Sequence, residues 1–109
     1  MKYRILISDR AMNDITNALN YIEGILLNPQ AADDLSIKIE QRIKSLATMH
    51  KRHPVIDDPL LRRLGMRFIV IDGYIAFYTI NDDIKTVNII RIVYGKRNWS
   101  KLLGDLPTL

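Results

Sequence analysis

The sequence predicts an α+β domain: a small, antiparallel-dominated sheet with a helical hairpin on one face. Three observations predict it. Apolar residues between Ala11 and His50 recur at three- and four-residue spacing, with one interruption at Asn28-Pro29. Residues 66–94 carry β-branched and aromatic runs separated by turn-forming residues. A short alternating segment, Lys2–Ile7, precedes both regions. The element order is therefore β-α-α-β-β-β, and 109 residues make one domain of it, spanning 1–109.

Each element has its local reason. In KYRILI, Tyr3, Ile5 and Ile7 alternate with Lys2, Arg4 and Leu6, which gives a strand one apolar face. Ser8 is placed to accept a hydrogen bond from the first free amides of a helix, and Asp9 suits that helix's positive end. Ala11, Ile15, Leu19, Ile22 and Leu26 then form one stripe over about five turns. Proline cannot continue a helix interior but fits the first turn of the next, so Asn28-Pro29 separates two antiparallel helices. Ala32, Leu35, Ile39, Ile43 and Leu46 make the second stripe, with Arg42 and Lys44 toward its C-terminal half. HKRHPVIDDP (50–59) has two prolines and no period and is expected to be a loop. Met66–Ile71 and Tyr74–Ile80 flank Asp72-Gly73, a two-residue hairpin signal. After Asn81-Asp82-Asp83, Thr86–Tyr94 is the strongest strand, and the tail from Gly95 is first basic, then apolar.

Composition narrows the function classes. With 48% hydrophobic and 26% charged residues the chain is not disordered. The absence of cysteine excludes disulfide frameworks, thiolate zinc sites and thiol nucleophiles. His50 and His53 are too few for a histidine-only metal site, and the glycines are isolated, so neither a metal, a cofactor nor a nucleotide-triphosphate loop is expected. No run approaches the roughly 20 apolar residues of a membrane helix, and a cytoplasmic location is expected. The net charge of +4 is unevenly placed. Residues 42–67 hold seven bases and two acids, residues 84–104 five bases and no acid, and residues 1–41 four bases and six acids. Two basic segments late in a chain suit a polyanion. The expectation is that these cations converge on the sheet face that the helices leave bare.

In this order, the segment Tyr3 to Ile22, the second helix ending near Leu46, and Arg67–Trp99 with Arg67, Tyr74, Tyr78 and Gly95-Lys96-Arg97 resemble the RelE/ParE superfamily of bacterial type II toxin–antitoxin modules. The resemblance implies a toxin that inhibits growth and is neutralised by a cognate antitoxin, in complexes that pair into heterotetramers. In the RelE branch the target is mRNA on the ribosome, cut without a metal by attack of the ribose 2′-OH on phosphate. In the ParE branch it is DNA gyrase. A third possibility is a degenerate, non-toxic module that only binds an antitoxin. Ribosome-dependent mRNA cleavage ranks first at this stage.

The resemblance implies the site residues as well. Arg97 matches the signature arginine and is the expected phosphate ligand, with its planar guanidinium fork. Arg67 is expected on the concave face, and Tyr94 offers a phenol; these three are the catalytic candidates. Arg62, Arg63, Arg91, Lys96 and Trp99 are the nucleic-acid-binding candidates, Trp99 by stacking. Arg91, among isoleucines, must reach either solvent or a carboxylate. Two family positions differ here: the interior arginine after the hairpin tyrosine is Ile75, and the late tyrosine is Leu103. His50 and His53 lie in a basic loop and titrate near neutrality.

Overall fold

A computed structural model describes residues 2–53, 55, 56 and 58–95. Strand β1 (Arg4–Ile7) leads into α1 (Asp9–Asn20), which continues as a π turn over Tyr21–Ile25. Helix α2 (Pro29–Met49) returns antiparallel, and α3 (Pro59–Arg63), β2 (Arg67–Ile71), β3 (Tyr74–Asn81) and β4 (Thr86–Tyr94) follow. The sheet order is β1-β4-β3-β2, with β1 parallel to β4 and the other pairs antiparallel. The expected α+β architecture, with the hairpin against one face, is what forms.

The predicted Ser8 cap is present, and Asn28 caps the second helix as well. Ser8 Oγ accepts from the Ala11 amide at 3.0 Å and donates to the Ile90 carbonyl at 2.8 Å, so one hydroxyl starts α1 and ties it to β4. Asn28 Oδ1 accepts from the Ala31 amide at 3.1 Å, with Pro29 in the first turn behind it. Asp72 and Gly73 both have positive φ, 52° and 75°, as a tight hairpin turn between β2 and β3 requires.

The main core lies between the hairpin and the sheet. Leu35, Ile39, Ile43 and Leu46 of α2 and Ala11 of α1 meet Ile69, Ile71, Ala76, Tyr78, Val87, Ile89 and Ile92. Tyr78 is fully buried, and its hydroxyl donates to the His50 carbonyl at 2.7 Å, closing the end of α2 onto the sheet. Tyr3 reinforces that corner: its ring stacks on His50 at 3.9 Å, and its hydroxyl donates to Asp82, which Lys51 also approaches at 3.3 Å.

Three expectations are corrected. The sheet face away from the hairpin is not left bare, because residues 55, 56 and 58–66 fold over part of it. Ile56, Leu61 and Met66 pack there against Ile75, Phe77, Ile90 and Val93, a second core with Phe68 at its margin. At the end of the stretch 50–59, expected to be loop, Asp58 caps the short helix α3 by accepting from the Leu60 and Leu61 amides; five residues are too few to show a period. Leu26 leaves the apolar stripe and is 55% exposed, because the wider π turn shifts the angular register that placed Ile15 and Ile22 inward.

The edge of β4 is held in an unusual way. β1 pairs with β4 only from Thr86 to Ile89. Beyond it, the Asp14 carboxylate of α1 accepts from the Ile92 amide at 2.9 Å, while Arg91 Nε and Nη2 donate to its two oxygens at 2.8 and 3.1 Å. Both side chains are largely buried, 14% and 16% exposed. Removing one partner strands the other charge, so Asp14→Ala should cost about 3 kcal/mol. The Asp14→Leu, Arg91→Leu double variant should recover a substantial part of that loss. Urea unfolding monitored by circular dichroism checks both.

Candidate functional site

The described cations gather mainly at the C-terminal end of α2. Arg67 opens β2 opposite Tyr78, which places its side chain on the hairpin side of the sheet. Its Nη1 donates to the carbonyls of His53 at 2.5 Å and Lys51 at 3.5 Å, fastening the chain where α2 ends. Arg42 Nη2 donates to the Val70 carbonyl on the outer edge of β2 at 3.1 Å, and Arg52 reaches the Met49 sulfur at 3.2 Å. Burial first, then the positive charges of Arg42, Arg52 and Arg67, hold the His53 ring below its ordinary pKa. His53 is therefore neutral at pH 7 and suits an acid role poorly. His50 is buried, with Nδ1 at 2.9 Å from the Leu46 carbonyl.

The other candidates lie elsewhere. Arg62 and Arg63 are exposed in the last turn of α3, on the sheet face opposite the hairpin. Arg91 has the carboxylate partner that its apolar neighbours demanded, Asp14. Tyr94 is 61% exposed at the end of β4, with its ring edge-on to Tyr74 at a centroid distance of 5.0 Å. Gly73 makes room for that ring: a Cβ there would stand 3.0 Å from it. The register pairs Tyr94 with Tyr74 and Tyr78 with Arg67, four β3 residues further on. Arg67 and Tyr94 thus stand about 13 Å apart along the strands and share no site. Lys96, Arg97 and Trp99 lie outside the described residues, as does Leu103. The expected convergence of cations on one bare face does not occur among the described residues.

The sequence reading missed an aromatic cleft. Tyr21 and Leu26, brought outward by the π turn, join Ile22, Tyr74 and Tyr94 around a cleft of about 600 Å³. Burial, with Tyr94 and Tyr21 alongside, raises the Tyr74 phenol above its ordinary pKa. The only available sequence signal was the recurrence of tyrosine at both ends of the hairpin strands. Among the described residues no cluster of acids and histidines is fit to hold a metal ion.

Tyr78 supplies a pH test of this framework. Burial pushes its hydroxyl up to about 12 against an ordinary 10.0, the Arg67 charge opposing the rise. Its folded-state pKa lies above the unfolded one, so its contribution is complete below pH 10 and lost as pH climbs from 10 toward 12. Tyr78→Phe should lose about 1 kcal/mol at pH 7. It should also show a shallower loss of stability between pH 10 and 11.5 than the wild type, in urea titrations across that range.

Comparisons with known proteins agree with this fold. Residues 5–99 match the family model of the ParE toxin of the type II toxin–antitoxin system parDE. No curated protein matches the sequence. A solved structure of the chromosomal ParDE toxin–antitoxin system from P. aeruginosa is similar, with a TM-score of 0.71 at 16% identity over 87% of this chain and 98% of that one. A chain of the RelBE2 toxin–antitoxin complex from Mycobacterium tuberculosis has a TM-score of 0.60 at 19% identity, covering 86% of this chain and 99% of its own. With nearly all of its described length inside the family model, and with the same sheet and hairpin, the chain belongs to the ParE toxin family of type II toxin–antitoxin systems.

Proposed function

We propose that this toxin arrests growth by binding a protein target, DNA gyrase, and that a cognate antitoxin holds it inactive. The observation that carries the choice of target is the engagement of Arg67 and Arg91. One guanidinium donates to backbone carbonyls, the other to Asp14, and Tyr94 stands at the far end of the strands from Arg67. A metal-free ribonuclease needs cations and a proton donor converging on one phosphate. These residues supply that poorly, whereas capture of a protein does not require it. Membership of the ParE branch supports the same reading.

The antitoxin is a protein whose acidic stretch crosses the basic end of α2. Arg42, Arg52 and Arg67 place positive charge there, which adds to burial in holding the His53 ring below its ordinary pKa. An acidic segment would meet the same field favourably and lose affinity as salt rises.

Supercoiling by purified gyrase should be inhibited at micromolar protein, with accumulation of cleaved DNA. Reporter mRNA in a translating extract should remain uncut. Codon-spaced breaks in that message, with gyrase unaffected, would reverse the assignment in favour of the ribosome.

A further inference from the structure

The end of the helical hairpin carries an apolar surface that stands exposed among the described residues. Ile25, Leu26 and Leu27 are 69, 55 and 79% exposed, beside Tyr21 at 52% and Tyr94 at 61%. Single exposed apolar residues need no explanation, but a contiguous group opening onto an aromatic cleft does. Leu27 makes the case sharper. It follows the π turn with φ 52°, while the Leu26 and Asn28 amides close back onto the Tyr21 and Ile22 carbonyls at 3.0 Å. Glycine ordinarily takes this left-handed position, because a side chain there crowds the backbone. Leucine accepts the strain, yet its side chain finds almost no contact within the chain.

Along the helical hairpin itself, the charge at this end has one sign. Between Arg10 and Lys38 the sequence holds Asp14, Glu23, Asp33 and Asp34 and no base. Asp14 is engaged by Arg91, and Lys38 is held by Asp72 at 3.0 Å. Glu23, Asp33 and Asp34 are exposed on the π turn and the opening of α2. The helix dipole does not account for the two aspartates, since neither lies in the first turn of α2. Aromatic and leucine anchors ringed by acids are complementary to an apolar anchor ringed by bases.

We propose that this hairpin end is the surface with which the toxin grips its target, and that the target presents there an apolar anchor surrounded by lysine and arginine. The inference rests on the reading of the chain as a toxin with a protein target. An enzyme that handles DNA displays cationic surface of this kind as a matter of its chemistry. The basic end proposed for the antitoxin lies at the other end of α2, about 30 Å away along 21 residues. The two surfaces are therefore separate.

Two paired variants test the proposal in the full chain, both at exposed positions. Leu26→Ser with Leu27→Gly removes the anchors and relieves the strained φ; Glu23→Lys with Asp33→Lys reverses the rim. Each should raise the inducer level needed for growth arrest at least about tenfold. The first should melt at or above the wild-type temperature, which separates a lost contact from a lost fold. Tyr21→Ser, also exposed, is an independent third variant and should weaken the arrest as well. Arrest at the wild-type inducer level by either pair overturns the proposal: unchanged action of the first pair removes the anchor, and of the second the cationic partner. A wild type that arrests growth without inhibiting gyrase defeats the gyrase reading alone and leaves the hairpin test in force. A wild type that does not arrest growth defeats both.

Discussion

The whole arrangement turns on how the edge of β4 is completed where β1 ends. β1 is only four residues long, and its ladder with β4 stops at Ile89. From there the chain leaves the sheet at Ser8, and α1 takes over as the edge partner. The Ser8 amide and hydroxyl bond the Ile89 and Ile90 carbonyls, and the Asp14 carboxylate receives the Ile92 amide. A carboxylate so placed would be costly to bury alone, and Arg91 neutralises it with two charge-assisted bonds. The same stretch contains the register irregularity at Phe77/Tyr78, where Tyr78 pairs with Ile89 and Phe77 with Arg91. That slip lets Ile89 and Ile92 face the hairpin while Ile90 and Val93 face α3. One edge repair thus positions both cores, and the helices cannot shift along the sheet without breaking it.

This dependence explains which features the sequence made legible. Periods of two and near 3.6 are local, so β2, β3, β4 and both long helices were readable to within a few residues. Capping is equally local: Ser8 acts as expected, and Pro29 takes the first turn of α2. The fate of the arginines is not local. Arg91 was bound to find solvent or a carboxylate, but its partner is 77 positions away and becomes a neighbour only when α1 packs on β4. Arg67 lies at a strand start whose facing is set by the register with Tyr78, and only that register turns it toward the end of α2. The cover over the second core was hidden for another reason: Ile56, Leu61 and Met66 are scattered over a segment too irregular to show a period, although Asp58-Pro59 is a sound helix start.

Among the described residues, charge clustering in the sequence does not translate into one basic face. Much of the basic population of residues 42–67 has architectural work. Arg42 occupies an edge carbonyl of β2, which blunts that strand against unwanted pairing, and Arg67 binds the loop that follows α2. A long cation that donates one or two hydrogen bonds inward still contributes its charge to the surface outside. At His53 that charge adds to burial in lowering the ring's pKa. Structural use and partner attraction are compatible for such side chains, but precise phosphate chemistry demands guanidinium groups free to converge.

The two ends of α2 differ in how far folding alone explains them. At the C-terminal end every named cation has an internal partner, so the cluster would be stable with no binding role at all. At the N-terminal end the opposite holds. The π turn gives up ordinary helical register, Leu27 occupies a backbone conformation suited to glycine, and the resulting apolar side chains face water. The strained and exposed positions each have a simple stabilising alternative: glycine at position 27, a polar residue at 25 or 26. Features that folding pays for without return are the ones whose explanation lies outside the molecule. On that criterion the hairpin end, rather than the more conspicuous basic residues, is where the proposed partner surface lies.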